Sequence, residues 1–232
     1  MNRGTIYLIV LVLATQQITA FGQDSLGFKK TLLFADDFSD TTTHKNWALE
    51  LGGEDQKTCV VKNGYLELNT VGGVTAWYKK ELQGNVLIEF DRTVVMEGGP
   101  NDRLSDLNQF WMATDPTGKL FTRKGDFKEY DSLRLYYVGI GGNYNTTTRM
   151  RRYDGNGKLE IVGEFKDSGH LLQPNKTYHI AILVRDDVSS FYVDGRRFFS
   201  YRDTKPFTHG WFGIRSTKSR QRIDRVRIWQ IE

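Results

Sequence analysis

The chain has 232 residues, 39% of them hydrophobic and 26% charged, with a formal net charge of +4 at neutral pH and one cysteine, Cys59. That length suits a single domain with a sizeable core, and a lone cysteine excludes an internal disulfide, so packing has to supply the stability. A balance this mild, with no recognised binding motif beside it, argues against a nucleic-acid partner.

The chain opens MNRGTIYLIVLVLATQQITAFGQD. Arg3 supplies a positive start, Ile6 to Ala14 form a short apolar run, and small residues follow at Ala20 and Gly22. This pattern reads as a signal peptide over residues 1–22, too short in its apolar run to span a bilayer. A mature chain of 23–232 is expected, exported to the periplasm or beyond, with no membrane span. Removing the leader takes away one charged residue, Arg3, and leaves +3.

Strand signals follow at short intervals. Gly64 to Leu68 alternates in polarity, and Trp77 and Lys79, after the Gly72-Gly73 turn, share a strand face. An aromatic ring beside a cation suits an acidic sugar, although Trp77 is equally suited to a core. Val86 to Asp91 alternates again. In GGPNDRLSDLNQFWMATDP, Gly98 to Pro116, a charged loop runs into an aromatic strand. If Phe110 and Met112 face the core, Gln109 and Trp111 line a cleft and Arg103 stands at its rim. The polar segment 117–129 is expected as a functional loop. Beyond it, Leu133 to Val138 is β-rich, with Arg134 and Tyr136 on one face. Thr147, Arg149, Arg151 and Tyr153 share another face, and arginines two apart on a strand favour an anion between them. Turn residues at 154–157 and Asp194-Gly195 mark tight hairpins. Tyr178 to Val184, Ser190 to Val193, Trp211 to Arg215 and Val226 to Trp229 complete an all-β chain of about a dozen antiparallel strands, a sandwich or a barrel.

The late runs YHIAILV, FYVDGRRFF, GWFGIRS and IDRVRIW resemble the concanavalin-like jelly roll, a sandwich of two antiparallel sheets. More narrowly, GGVTAWYKKEL, GGPNDRLSDLNQFWMATDP, YDSLRLYYVGIGGNYNTTTRMRRYDG and NKTYHI look like exported jelly-roll proteins of bacterial polysaccharide-utilisation clusters. That resemblance implies one jelly-roll domain acting on uronate-containing oligosaccharides of the pectin or ulvan type, as a lyase or dehydratase.

The residues discriminate between chemistries. A retaining hydrolase needs two carboxylates about 5 Å apart. Glu89-Phe90-Asp91 begins a fitting pattern and Arg92-Thr93-Val94 breaks it. Elimination instead needs cations to offset a uronate carboxylate, a base for the C5 proton and an acid for the group leaving C4. Arg134, Tyr136 and His179 are the expected catalytic residues. Trp77, Lys79, Arg103, Gln109, Trp111, Arg149 and Arg151 are the expected substrate contacts. His44, His170 and His209 are weaker candidates, and no histidine pair has metal-ligand spacing, so no cofactor is expected. Asp102, Asp106 and Asp115 are the carboxylates that a structural calcium would draw on, without EF-hand spacing. The expected partner is an anionic oligosaccharide; the oligomeric state stays open. The alternatives are a non-catalytic glycan binder in the same cleft and a hydrolase with carboxylates recruited from loops.

Overall fold

A computed structural model describes residues 28–41, 45–51 and 59–232. The leader expected over 1–22 and His44 lie outside the described residues. Sixteen strands, numbered in chain order among the described residues, form two antiparallel eight-stranded sheets. The first runs β14 (Arg196–Arg202), β13 (Val188–Val193), β12 (Thr177–Arg185), β7 (Val86–Val94), β16 (Gln221–Ile231), β4 (Tyr65–Leu68), β3 (Cys59–Lys62), with β1 (Lys30–Asp36) also on β16. The second runs β11 (Leu159–Phe165), β10 (Thr147–Asp154), β9 (Arg134–Gly141), β8 (Leu107–Thr114), β15 (His209–Thr217), β5 (Gly73–Tyr78), β2 (Trp47–Leu51), with β6 (Leu82–Gln83) also on β15. No helix among the described residues is long and apolar enough to cross a membrane.

Alternation decides which side chains meet between the sheets. From β12, Tyr178, Ile180, Ile182 and Val184 point inward, while His179, Ala181 and Leu183 point out. The hairpin from β13 to β14 turns at Asp194-Gly195, both at positive φ, whose twist matches that of the flanking strands. The interior gathers Trp47, Phe90, Trp111, Tyr136, Phe191 and Phe212 into one core with the aliphatic residues. Truncating any one of these rings to alanine would cost about 3–5 kcal/mol.

A second hydrophobic cluster lies on the outer face of the second sheet. There Trp77, Phe110, Leu135, Tyr137 and Tyr153 are covered by the segment after β8, through Phe121, Phe127 and Tyr130. This strap, expected from sequence as a polar loop, carries enough aromatic surface to bury the face beneath it. Its fastening is partly local. Arg123 pairs with Asp115 at 2.6 Å, and Asp126 and Glu129 form a capping box on the 3-10 turn Phe127–Ser132. Gly73 of β5 and Gly125 of the strap meet backbone to backbone. A Cβ on Gly73 would stand 1.8 Å from the Gly125 carbonyl oxygen, so no larger residue fits.

The strap corrects the reading of β8. Seven of its eight residues are buried, because one face meets the first sheet and the other meets the strap. The premise that only one face is core fails. Gln109 and Trp111 turn into the interior, not into a cleft: Gln109 donates to the Val138 carbonyl at 2.8 Å, and Trp111 stacks on Phe191 with centroids 6.2 Å apart.

The β9–β10 hairpin ends in an unusual turn. Asn143, Tyr144 and Asn145 all adopt positive φ, of 53°, 58° and 61°. The left-handed conformation costs about 1–2 kcal/mol per non-glycine residue, with asparagine the more tolerant type.

Candidate functional site

The outer face of the second sheet gathers a set of polar groups beneath and beside the strap. β8 contributes Asn108, which lies opposite Gly139 of β9 and Arg215 of β15. Tyr137 donates its hydroxyl to Asn108 Oδ1 at 2.9 Å. The glycine at 139 makes that contact possible, because a Cβ there would fall 1.9 Å from the Tyr137 hydroxyl. Burial pushes the Tyr137 phenol up, with Tyr153 adding to the shift and Arg151 opposing it. The phenol therefore keeps its proton at neutral pH. Arg151 of β10 lies over the Tyr137 ring at 5.5 Å. Burial raises the nearby Asp131 carboxyl, against the pull of Arg151 and Lys128.

Beneath this surface sit two buried guanidiniums. Arg215 is sealed under the strap, 5.1 Å from the ring centres of both Phe127 and Tyr130. Its Nη1 reaches only the Ser216 carbonyl, at 3.3 Å, and its Nε and Nη2 have no hydrogen-bond partner among the described residues. Arg92 comes from β7 across the interior and donates to the carbonyls of Asn108 at 2.5 Å and Arg215 at 2.6 Å. Burial pushes its guanidinium down to about 9, still charged at neutral pH, and lowers that of Arg215 as well. Among the described residues neither arginine is within ion-pair distance of a carboxylate. Two cations without an ion-pair partner thus converge behind the Asn108–Tyr137 pair, with the charge of Asp106 offsetting only part of their burial, an arrangement that an anionic ligand would favour.

Glu50 is buried too, but its role is structural. It accepts from Trp77 Nε1 at 2.7 Å, Tyr130 hydroxyl at 2.8 Å and the Arg123 amide at 2.9 Å.

The residues expected from sequence divide among several places. Trp77, Arg149 and Arg151 do share the outer face. Trp77, however, is fully buried, 5.6 Å from Phe110, and offers no open platform; Arg149 is paired with Glu164. Tyr136 points the other way, into the interior. Its hydroxyl donates to Asp203 at 2.7 Å, and Asp203 also holds Arg152 at 2.6 Å. Arg134, on the same side of β9 but at its exposed end, lies by Gly155 and Pro116. Lys79 is exposed beyond the end of β5. Arg103, expected at the rim of a cleft lined by Gln109 and Trp111, instead pairs with Asp106 and donates to the carbonyl of Lys218 at 3.1 Å.

His179 stands on the opposite outer face, that of the first sheet. Its Nδ1 lies 2.8 Å from Asp91, which also pairs with Arg225, and its Nε2 lies 3.8 Å from Glu89. The trio Arg134, Tyr136 and His179 is therefore not one constellation. Alternation separates Tyr136 from Arg149, and a whole sandwich separates Tyr136's sheet from the face of His179. Beside Asp91 an open hollow of about 460 Å³ is lined by residues including Tyr65, Thr93, Thr177 and Asp224.

His170 stacks on Phe165 at 3.7 Å and touches Asp167, and His209 pairs with Glu81. Asp102 accepts from the Glu97 and Gly99 amides, while Asp106 and Asp115 pair with Arg103 and Arg123, so these carboxylates serve separate loops. No cluster of three or more His, Cys, Asp or Glu that could hold a metal occurs among the described residues.

Sequence reasoning missed Tyr137, Asn108 and Arg215. Gly139 was the available signal, since a glycine inside a β-rich run marks a close approach.

Comparison with known proteins bears on the fold. A Bacillus subtilis protein of unknown function with a galectin-like fold superposes with a TM-score of 0.71 at 15% identity, covering 88% of this chain and 98% of that one. An endo-β-1,3-glucanase from Pyrococcus furiosus gives 0.61 at 12% identity, covering 89% and 96%. LamA from Z. galactanivorans, solved in complex with laminaritriose and laminaritetraose, gives 0.58 at 11%, covering 86% and 99%. No curated protein matches the sequence. Residues 68–226, more than half of the chain, match the domain of unknown function DUF6250. The chain therefore belongs to the DUF6250 family, here an antiparallel jelly-roll sandwich of two sheets.

Proposed function

We propose that this protein is an exported carbon–oxygen lyase acting by β-elimination on uronate-containing oligosaccharides, and that its site is the edge of the strap over the second sheet, where the part-exposed Arg151 and Asp131 flank the covered Tyr137. The observation that carries the reading is the pair of buried guanidiniums, Arg92 and Arg215, without carboxylate partners behind the Tyr137–Asn108 hydrogen bond. A field of that sign favours an anionic sugar. The glycan-acting names among proteins of the same fold, glucanases included, agree with a carbohydrate ligand.

The chemistry needs three parts. Arg151, with Arg215 beneath, offsets the charge that builds on the uronate carboxylate as the C5 proton leaves. The base at C5 is Asp131, whose burial-raised carboxyl makes it the stronger proton acceptor. Tyr137, held protonated by burial, gives its proton to the oxygen leaving C4 as the C4–C5 double bond forms. A departing hydroxyl makes the reaction a dehydration; a departing glycosidic oxygen makes it chain cleavage.

Incubating the protein with saturated and unsaturated uronate oligosaccharides tests this. Rising ultraviolet absorbance with loss of one water, or with chain shortening, is the expected result. Tight binding with neither change would replace elimination by glycan binding, and shortening without absorbance would mean hydrolysis.

A further inference from the structure

The β9–β10 hairpin holds a tyrosine in solvent against its backbone preference. Tyr144 is 77% exposed, more than any other large hydrophobic residue among those described, and sits at φ 58°, ψ 48° between two left-handed asparagines. Glycine would take that conformation without penalty. The turn is held from several directions. Thr146 donates from its amide to the Gly142 carbonyl at 3.0 Å and from its hydroxyl to the Asn143 carbonyl at 2.8 Å. The Asn145 side chain clamps Leu172, donating to its carbonyl at 2.9 Å and accepting from its amide at 2.8 Å. A backbone conformation so over-determined, at a residue whose ring packs into no core, points to a function for the ring.

Arg103 shows what that function needs. Its guanidinium lies 5.4 Å from the centre of the Tyr144 ring while donating to the Lys218 and Thr217 carbonyls and to Asp106. With those bonds made, the cation acts as a brace that orients the ring. Four strand steps separate Tyr137 from Gly141, so the hairpin tip begins about 14 Å along the face from the phenol. That span leaves room for more than one sugar ring between them.

We propose that Tyr144, braced by Arg103, is an aromatic platform on which a pyranose ring of the glycan stacks, remote from the reacting unit. The platform rests on the glycan reading above for its ligand class but not on the elimination chemistry. Beside a guanidinium, it suits a sugar ring that bears a negative charge or adjoins one that does.

Tyr144→Gly supplies the test, read out two ways. A platform role predicts that Tm rises by about 2–4 °C, because glycine relieves the left-handed strain. It also predicts that calorimetric affinity for a saturated galacturonate trimer falls by about tenfold or more, with Tyr144→Phe within about twofold of the wild type. A fall in Tm would make Tyr144 a structural residue and overturn the proposal, as would unchanged binding of both the galacturonate trimer and laminaritriose. The same titration with laminaritriose separates the two readings. Tyr144-dependent binding of either trimer without uronate turnover keeps the platform and removes the elimination. Turnover with unchanged KM in Tyr144→Gly keeps the elimination and removes the platform. If neither trimer shows Tyr144-dependent binding at millimolar concentration, the platform is wrong.

Discussion

The two outer faces of the sandwich solve the problem of polar side chains in opposite ways. On the first sheet, Asp91 holds both His179 and Arg225, and Glu89 lies near His179, beside an open hollow, so the polar groups there already have partners. On the second, a strap seals aromatic residues over Arg215, while Arg92 presses on the same strands from behind. Charge there is left over. From sequence His179 was expected beside Arg134 and Tyr136, yet on this face its hydrogen-bonded cluster has little left to offer a ligand. Unspent polar groups are the better guide to a site, because folding alone gives no reason to keep them.

The largest expected effect breaks the comparison outright. Tyr137→Phe should lower turnover on uronate oligosaccharides by about 10²–10⁴-fold, whereas His179→Gln on the other face should leave it within a few-fold. Reversed outcomes in steady-state kinetics would move the site to the first sheet. Tyr136→Phe is the internal control. It should cost about 1–3 kcal/mol in urea unfolding, by leaving Asp203 short of a donor, and should spare turnover.

Arg215→Met sharpens the contrast next. Removing a buried cation with no carboxylate partner should raise stability by about 1–2 kcal/mol while weakening anionic oligosaccharides and sparing neutral ones. Loss of stability would mean that the two rings flanking Arg215 hold the strap through it.

The smallest effect is one of pH. Burial alone would raise the Asp203 carboxyl, but Arg152, the Lys205 amide and the Tyr136 hydroxyl outweigh it, and the net shift is downward. A lowered folded value means that its contribution is full above the unfolded value, about 4, and is lost as pH falls through the folded one. Asp203→Asn should therefore flatten the dependence of unfolding midpoint on pH below about 4. An unchanged acid limb would assign that loss to other carboxylates.

Strand positions and hairpin turns were legible in the sequence because alternation and turn chemistry are local. The sharing of one face by Thr147, Arg149, Arg151 and Tyr153 was legible for the same reason. The orientation of β8 and β9 was not. A half-buried strand shows one apolar face, but Asn108 to Met112 and Leu135 to Ile140 are buried on both, so alternation no longer says which face is interior. The error at Tyr136 and Trp111 follows from that single ambiguity, and one residue along the strand lies Tyr137.

What the amino-acid order determined by itself was the all-β character, the period of each strand and the residues that share a face. Which face looks inward was decided only when the strap closed over the second sheet and Arg92 crossed the interior. The reason is physical: a strand's period comes from its own backbone, whereas burial comes from whatever packs against it, here the strap that links β8 to β9 and the facing sheet.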